Sequence, residues 1–168
     1  MLRVIFDTNI YGFLIEEPDF AELQEQIIED KEFVVYNYKP IRQEIRDIQK
    51  VTKLSKQTRN IILNLYDQIT GNHFLENSLT ITKLAKQYHD CYKNNGGIYG
   101  WDTNIKVDFM IVACASFEGL DVVYSGDIKT LLNKNAIKAY HHINLKENFR
   151  TPNFLKYSDL LKKFRKTL

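Results

Sequence analysis

The chain has 168 residues, of which 44% are hydrophobic, and a formal net charge of +2. This size and composition predict one globular domain with a substantial core, and no stretch is long and apolar enough to span a membrane. The small net charge does not by itself indicate a nucleic-acid-binding protein. Two cysteines exclude a disulfide framework and the N-terminus lacks the pattern of a signal peptide, so we expect a cytoplasmic protein.

The first predicted element in chain order is a strand from Leu2 to Phe6, an apolar run broken only by Arg3. Such a run is typical of a strand buried on both faces. Asp7, Thr8 and Asn9 follow directly and suit a sharp turn at the start of a helix. Because ligands of α/β proteins bind just outside the carboxyl ends of strands, Asp7 is the first candidate site residue.

The rest of the chain alternates between helical and strand patterns. Apolar periodicity and capping residues predict helices over 9–15, 20–29, from 40 onward, 55–69, 78–92, 103–118, a short one to 132, and 157–166. Strands are predicted at 33–36, 121–124 and about 142–145, with a short extended piece at 72–76.

This alternation predicts a three-layer α/β fold with a mostly parallel central sheet flanked by helices. The helical block 41–92 is longer than one crossover requires, so part of it is expected to form an insertion. We expect a single domain over 1–168, with a core over about 1–145 and a C-terminal extension over 146–168.

Four acidic residues are expected to meet at one edge of the sheet, because helix N-termini lie at the same edge as the carboxyl ends of parallel strands. Asp7 and Asp127 follow predicted strands, whereas Glu44 and Asp108 fall in the opening turns of helices. A site made only of carboxylates suits Mg²⁺ or Mn²⁺ better than zinc. Such an ion can activate water and clamp a phosphate, as phosphodiester hydrolysis requires.

Each acid also has an ordinary structural interpretation. Asp7 suits the N-cap of the first helix, Glu44 a solvated helix position and Asp127 a turn. Only their joint placement indicates a metal site.

Four segments together resemble those of PIN-domain ribonucleases, of the VapC-like toxin or PilT N-terminus type. They are Val4-Ile-Phe-Asp7-Thr-Asn-Ile10, Glu44 in Pro40-Ile-Arg-Gln-Glu, Asp108 in Asp-Phe-Met-Ile-Val-Ala-Cys-Ala-Ser116, and Val122-Val-Tyr-Ser-Gly-Asp127. The resemblance spans roughly residues 1–145. Many relatives have an aromatic residue three positions after the fourth acid, where this chain has Thr130.

The resemblance implies a PIN-like fold and a Mg²⁺- or Mn²⁺-dependent endoribonuclease that leaves a 5′-phosphate and a 3′-hydroxyl. It assigns the metal to Asp7, Glu44, Asp108 and Asp127, with Asn9 and Ser125 as polar neighbours that orient them. It also implies a homodimer and, for toxin members, an antitoxin partner that covers the site.

A basic helix face is the predicted RNA contact. Arg42, Arg46 and Lys50 recur at a spacing of four residues and share one face, which we expect to flank the acids and bind phosphates. A solvated surface is the alternative for this face. In the glycine-rich loop 94–101, Tyr99 and Trp101 either stack on unpaired bases or, for Trp101, pin the loop to the core.

Two other functions remain open at this stage. The chain could be a non-catalytic RNA- or protein-binding module with a PIN-like fold. It could also be a phosphatase that uses Asp7 as a nucleophile, although such sites usually have a second acid two positions on, where this chain has Asn9.

Overall fold

The computed structural model describes residues 1–51, 55–103 and 105–165, without the side chains of residues 49–51. Its helices are α1 (Thr8–Glu16), α2 (Phe20–Glu29), α3 (Lys39–Val51), α4 (Lys56–Thr70), α5 (Leu79–Asn94), α6 (Ile105–Phe117), α7 (Lys134–Glu147) and α8 (Tyr157–Phe164). Its strands are β1 (Leu2–Phe6), β2 (Phe33–Val35), β3 (Asn37–Tyr38), β4 (Phe74–Leu75), β5 (Val122–Tyr124) and β6 (Asn153–Leu155).

The central sheet has the strand order β2-β1-β5-β6, and every neighbouring pair in it is parallel. β1 lies in the middle, where Val4, Ile5 and Phe6 are fully buried. β3 and β4 form a separate two-stranded parallel pair. The predicted α/β class, with a mostly parallel sheet flanked by helices, is therefore confirmed.

The long helical block between β2 and α6 belongs to the same core as the sheet. α4 packs against α1, α2 and α3, whereas α5 packs against α6 and α7. α6 is the most enclosed helix, with a continuous buried run from Asp108 to Ser116. This burial explains why the sequence of α6 is apolar on all sides.

The predicted strand at 142–145 and the short helix before Leu132 are both wrong. Residues 128–132 form turns, and 142–145 lie within α7, which begins after the N-cap residue Asn133. The helical period of α7, and not the alternation of a strand, decides which of these residues are buried. Asn144 is completely buried, whereas Leu145 is 84% exposed.

The fourth strand of the central sheet is β6, which lies in the segment predicted as a C-terminal extension. It pairs with β5, and Val123 lies opposite Phe154. α8 then packs against α2, and the ring of Phe164 contacts that of Phe33 with 5.1 Å between centroids. Lys166, in the predicted basic end of this helix, lies outside the described residues.

Helices long and apolar enough to cross a membrane are absent from the described parts of the chain.

Candidate active site

Asp7 lies at the end of the central strand, with only 3% of its surface exposed. It is the N-cap of α1, and its Oδ1 accepts a hydrogen bond from the Thr8 backbone N–H at 2.7 Å. Its Oδ2 accepts one from Asn9 Nδ2 at 2.7 Å and one from Ser125 Oγ at 2.6 Å. The N-cap interpretation and the site interpretation of Asp7 are thus compatible, because one carboxylate serves both.

Asn9 and Ser125 join the turn after β1 to the turn after β5. Asn9 Oδ1 accepts a hydrogen bond from the Gly126 N–H at 2.9 Å, and Ser125 Oγ accepts one from the Asp127 N–H at 3.0 Å. A Cβ at Gly126 would lie 2.4 Å from the Phe13 ring, so any other residue there would force that ring to move. These contacts hold Asp7 and Asp127 on neighbouring turns.

Glu44 reaches the same region from the first turns of α3. Its Oε2 accepts a short hydrogen bond from Thr8 Oγ1, a partner that the sequence did not single out. Burial raises the pKa of Glu44 to about 7, and the nearby charge of Asp7 contributes in the same direction. Burial likewise raises the pKa of Asp7 to about 6 against the lowering effect of its hydrogen bonds.

Asp108 is the carboxylate with the most costly environment. It is 5% exposed, and its Oδ2 is buried without a hydrogen-bond partner among the described residues. Burial raises the pKa of Asp108 well above its usual range, and the charge of Asp7 raises it further. A buried carboxylate oxygen in this state needs a proton or a cation.

Asp127 is held by the turn that follows it. Its Oδ1 accepts hydrogen bonds from the backbone N–H groups of Lys129, at 2.8 Å, and Thr130, at 3.0 Å. Its Oδ2 accepts one from Thr130 Oγ1 at 2.6 Å. Thr130 is therefore, after Thr8, a second positioning residue that sequence reasoning did not identify.

The four acids line one cavity of about 360 Å³. They come from separate segments: the ends of β1 and β5 and the opening turns of α3 and α6. The rest of the lining is Thr8, Asn9, Gly12, Ile15, Glu16, Ile48, Thr58 and Ile62. Ser125 does not line the cavity and acts through its hydrogen bonds to Asp7 and Asp127.

The donor chemistry of this cavity fits a hard divalent cation. Carboxylate oxygens are the ligands that Mg²⁺ and Mn²⁺ prefer, and Asp108 presents one with no other partner among the described residues. In the described conformation, however, no three carboxylate, imidazole or thiolate groups of the described residues are arranged closely enough to hold a metal ion.

The predicted basic face is not part of this cavity. Arg42 and Arg46 line a separate groove of about 110 Å³ with Lys39 and Gln43. Arg42 forms a two-pronged ion pair with Asp67, with both N–O distances at 2.9 Å. The side chain of Lys50 lies outside the described residues.

The glycine-rich loop is tied to α5. The hydroxyl of Tyr92 accepts hydrogen bonds from the N–H groups of Ile98, at 3.1 Å, and Tyr99, at 3.3 Å. Trp101 is half-buried, and its ring lies 5.4 Å from that of His89 between centroids. Trp101 thus pins the loop to the core, as one of the two sequence interpretations held.

The sequence matches no protein-family model and no curated protein. A solved structure with a similar fold is the crystal structure of VapBC2 from Rickettsia felis bound to a DNA fragment from their promoter. The superposition has a TM-score of 0.59 at 13% sequence identity and covers 92% of this chain and 98% of that chain. At this identity the likeness shows the fold alone, which is consistent with the PIN-like architecture expected from the sequence.

Proposed function

We propose that this protein is a metal-dependent endoribonuclease of PIN type. One observation carries the proposal: four acids from four separate segments line a single cavity, and one of them has a buried oxygen without a partner among the described residues. Acids that serve only in structural ion pairs need not be gathered in one cavity, nor leave a buried oxygen without a partner. Its cost is offset when the carboxylates share a cation.

Asp7, Glu44, Asp108 and Asp127 would hold the ion. A bound Mg²⁺ or Mn²⁺ would stabilise the charge that develops on the phosphate and lower the pKa of the attacking water. The other residues position the acids, because Asn9 and Ser125 fix Asp7, Thr8 contacts Glu44 and Thr130 fixes Asp127. Preorganised ligands of this kind reduce the reorganisation needed when substrate binds.

The proposed substrate is RNA, and a regulatory protein partner is part of the proposal. One structural neighbour is a VapBC2 assembly, and the sequence motifs resemble those of toxins that are held inactive by an antitoxin. We propose the same regulation here, together with a homodimer. Light scattering of the purified protein would test the dimer.

The contribution of Arg42, Arg46 and Lys50 to RNA binding remains a prediction, best tested by the salt dependence of binding.

The deciding experiment is cleavage of structured and unstructured RNA in Mn²⁺, Mg²⁺ or EDTA, with Asp7→Asn as the inactive variant. The matched control is Asp102→Asn, which makes the same chemical change at an exposed position outside the cavity. We expect metal-dependent cutting by the wild type and the control and at least about a hundredfold loss in Asp7→Asn.

The second candidate is a non-catalytic RNA- or protein-binding module with the same fold. The absence, among described residues, of three side chains already grouped to hold a metal favours it. Folded wild type that binds RNA equally well with and without divalent ions and cuts none of the RNAs would establish this alternative.

A further inference from the structure

Much of the cavity lining away from the four acids is apolar. It consists of Gly12 and Ile15 from α1, Ile48 from α3 and Ile62 from α4, with Glu16 and Thr58 in the same lining, and we call the four apolar residues the apolar arm. The three helices that carry these residues pack against one another. It opens into the same space as the four acids.

Gly12 is an unexpected residue at this point of a helix. It lies in the middle of α1, and a Cβ built on it would meet no atom within 4 Å. Its backbone does not adopt a positive φ, so neither conformation nor crowding requires glycine here. Glycine in a helix interior costs roughly 0.5–1 kcal/mol relative to alanine. Because Gly12 has no side chain, it leaves open space in the apolar arm.

We propose that the apolar arm is a subsite for one unpaired nucleobase beside the phosphate held at the acids. The proposal rests on the proposed nuclease function and adds the form of its substrate. A ligand pocket typically measures about 300–1,000 Å³, and the whole cavity, at about 360 Å³, suits a single nucleotide.

The chemistry of the acids and of the apolar arm matches the two parts of a nucleotide. A phosphate bridged by a cation belongs with the carboxylates, whereas the flat faces of a base are apolar and belong between isoleucine side chains. Thr58 belongs to the same lining, and its hydroxyl, which is hydrogen-bonded to Ser55 Oγ at 2.8 Å, has capacity left to meet the polar edge of the base. A base stacked inside a duplex cannot enter the arm, so the substrate is RNA that is unpaired at the cleavage site.

Gly12→Leu tests the subsite, because it fills the arm and replaces glycine with a better helix former. Ala21→Leu is the matched control, since Ala21 is an exposed residue of α2 outside the cavity. The probes are short unpaired oligoribonucleotides that carry each of the four bases, or an abasic ribose, at successive positions. Cutting is mapped in Mn²⁺, and binding is measured by fluorescence anisotropy in Ca²⁺ with the RNA checked to be intact.

We expect Gly12→Leu to lose about ten- to a hundredfold in cutting and in affinity for RNA with a base at the critical position. Gly12→Leu should lose much less on abasic RNA than on RNA with the base, whereas Ala21→Leu should match the wild type on both RNAs. Cutting by Gly12→Leu with unchanged rate and base dependence would overturn the subsite and leave the nuclease intact. Base-dependent binding that Gly12→Leu weakens, without any cutting, would support the subsite and overturn the nuclease. Neither cutting nor base-dependent binding would overturn both and favour an apolar protein side chain as the occupant.

Discussion

At the scale of single residues, the site combines two carboxylates that accept several hydrogen bonds with a third that has one oxygen without a partner among the described residues. Asp7 and Asp127 each accept three hydrogen bonds from the turns around them. Asp108 is almost fully buried, and its Oδ2 has no such bond among the described residues. Without a metal ion, Asp108 therefore lowers the stability of the folded protein. In the sequence, its position within the apolar run of α6 is the feature that marks it.

The substitution Asp108→Asn should stabilise the metal-free protein, because burial and the charge of Asp7 disfavour the ionised carboxylate that the unfolded chain carries at this pH. We expect the free energy of unfolding at pH 8 in EDTA to rise by about 1–3 kcal/mol, measured by urea denaturation. The exposed change Asp102→Asn should leave it within about 0.5 kcal/mol. A fall in stability for Asp108→Asn would show that the carboxylate is compensated in the apo protein.

The loop before α6 depends on one close contact. A Cβ at Gly97 would lie 2.2 Å from the Tyr92 ring, whereas one at Gly100 would meet nothing within 4 Å. We expect Gly97→Ala to lower the free energy of unfolding by about 1–3 kcal/mol and Gly100→Ala to change it by less than about 0.5 kcal/mol. The fluorescence of Trp101, the chain's single tryptophan, reports both. Equal effects of the two changes would show that Tyr92 moves aside without cost.

At the scale of elements, the last part of the fold is organised by a buried polar residue. Asn144 of α7 donates hydrogen bonds to Ser116 Oγ at 3.0 Å and Thr151 Oγ1 at 2.9 Å. It also accepts a short one from the Tyr88 hydroxyl. These bonds join α5, α6 and α7 to the segment that leads into β6, which explains how a short edge strand is held in register.

Replacing Asn144 with leucine should therefore be strongly destabilising. The change would leave the hydroxyls of Tyr88 and Ser116 buried without their amide partner, and we expect a loss of roughly 2–4 kcal/mol in urea denaturation. Leu145→Ala, at the adjacent exposed position, should cost less than about 0.5 kcal/mol. If both variants unfolded at the same urea concentration, the network would be energetically neutral.

At the scale of the whole molecule, the acidic site should govern how stability depends on pH. The pKa of Asp7 rises from 3.8 to about 6 on folding, and that of Glu44 rises from 4.5 to about 7. At both groups the folded state binds protons more tightly than the unfolded chain does. Protonation therefore favours folding, and its contribution to the free energy of unfolding is fully present below about pH 4. That contribution is lost as the pH rises through the folded pKa values.

The melting temperature of the protein in EDTA should accordingly fall between about pH 4 and pH 7, as far as these two groups determine it. Excess Mn²⁺ should raise it more at pH 8 than at pH 5, because the ligands must be deprotonated to bind. Calorimetry of the wild type and Asp7→Asn would measure both effects. An identical pH dependence in the two proteins would contradict the role assigned to Asp7.

Local sequence determined the elements with strong periodicity and the positions of the four acids. β1 is fully buried from Val4 to Phe6 and α6 is apolar on all sides, so the burial of these runs follows from their composition. The parallel topology then places Asp7, Glu44, Asp108 and Asp127 at one edge, and the structure brings all four to one cavity.

Only the tertiary structure decided β6, α7, the apolar arm and the residues that position the acids. β6 is three residues long and exists because β5 offers it an edge. Thr8 and Thr130 became significant through the carboxylates beside them, and Gly12 through the space it leaves between three helices. These features depend on contacts between residues distant in sequence or on the shape of a cavity, and local periodicity carries no information about either.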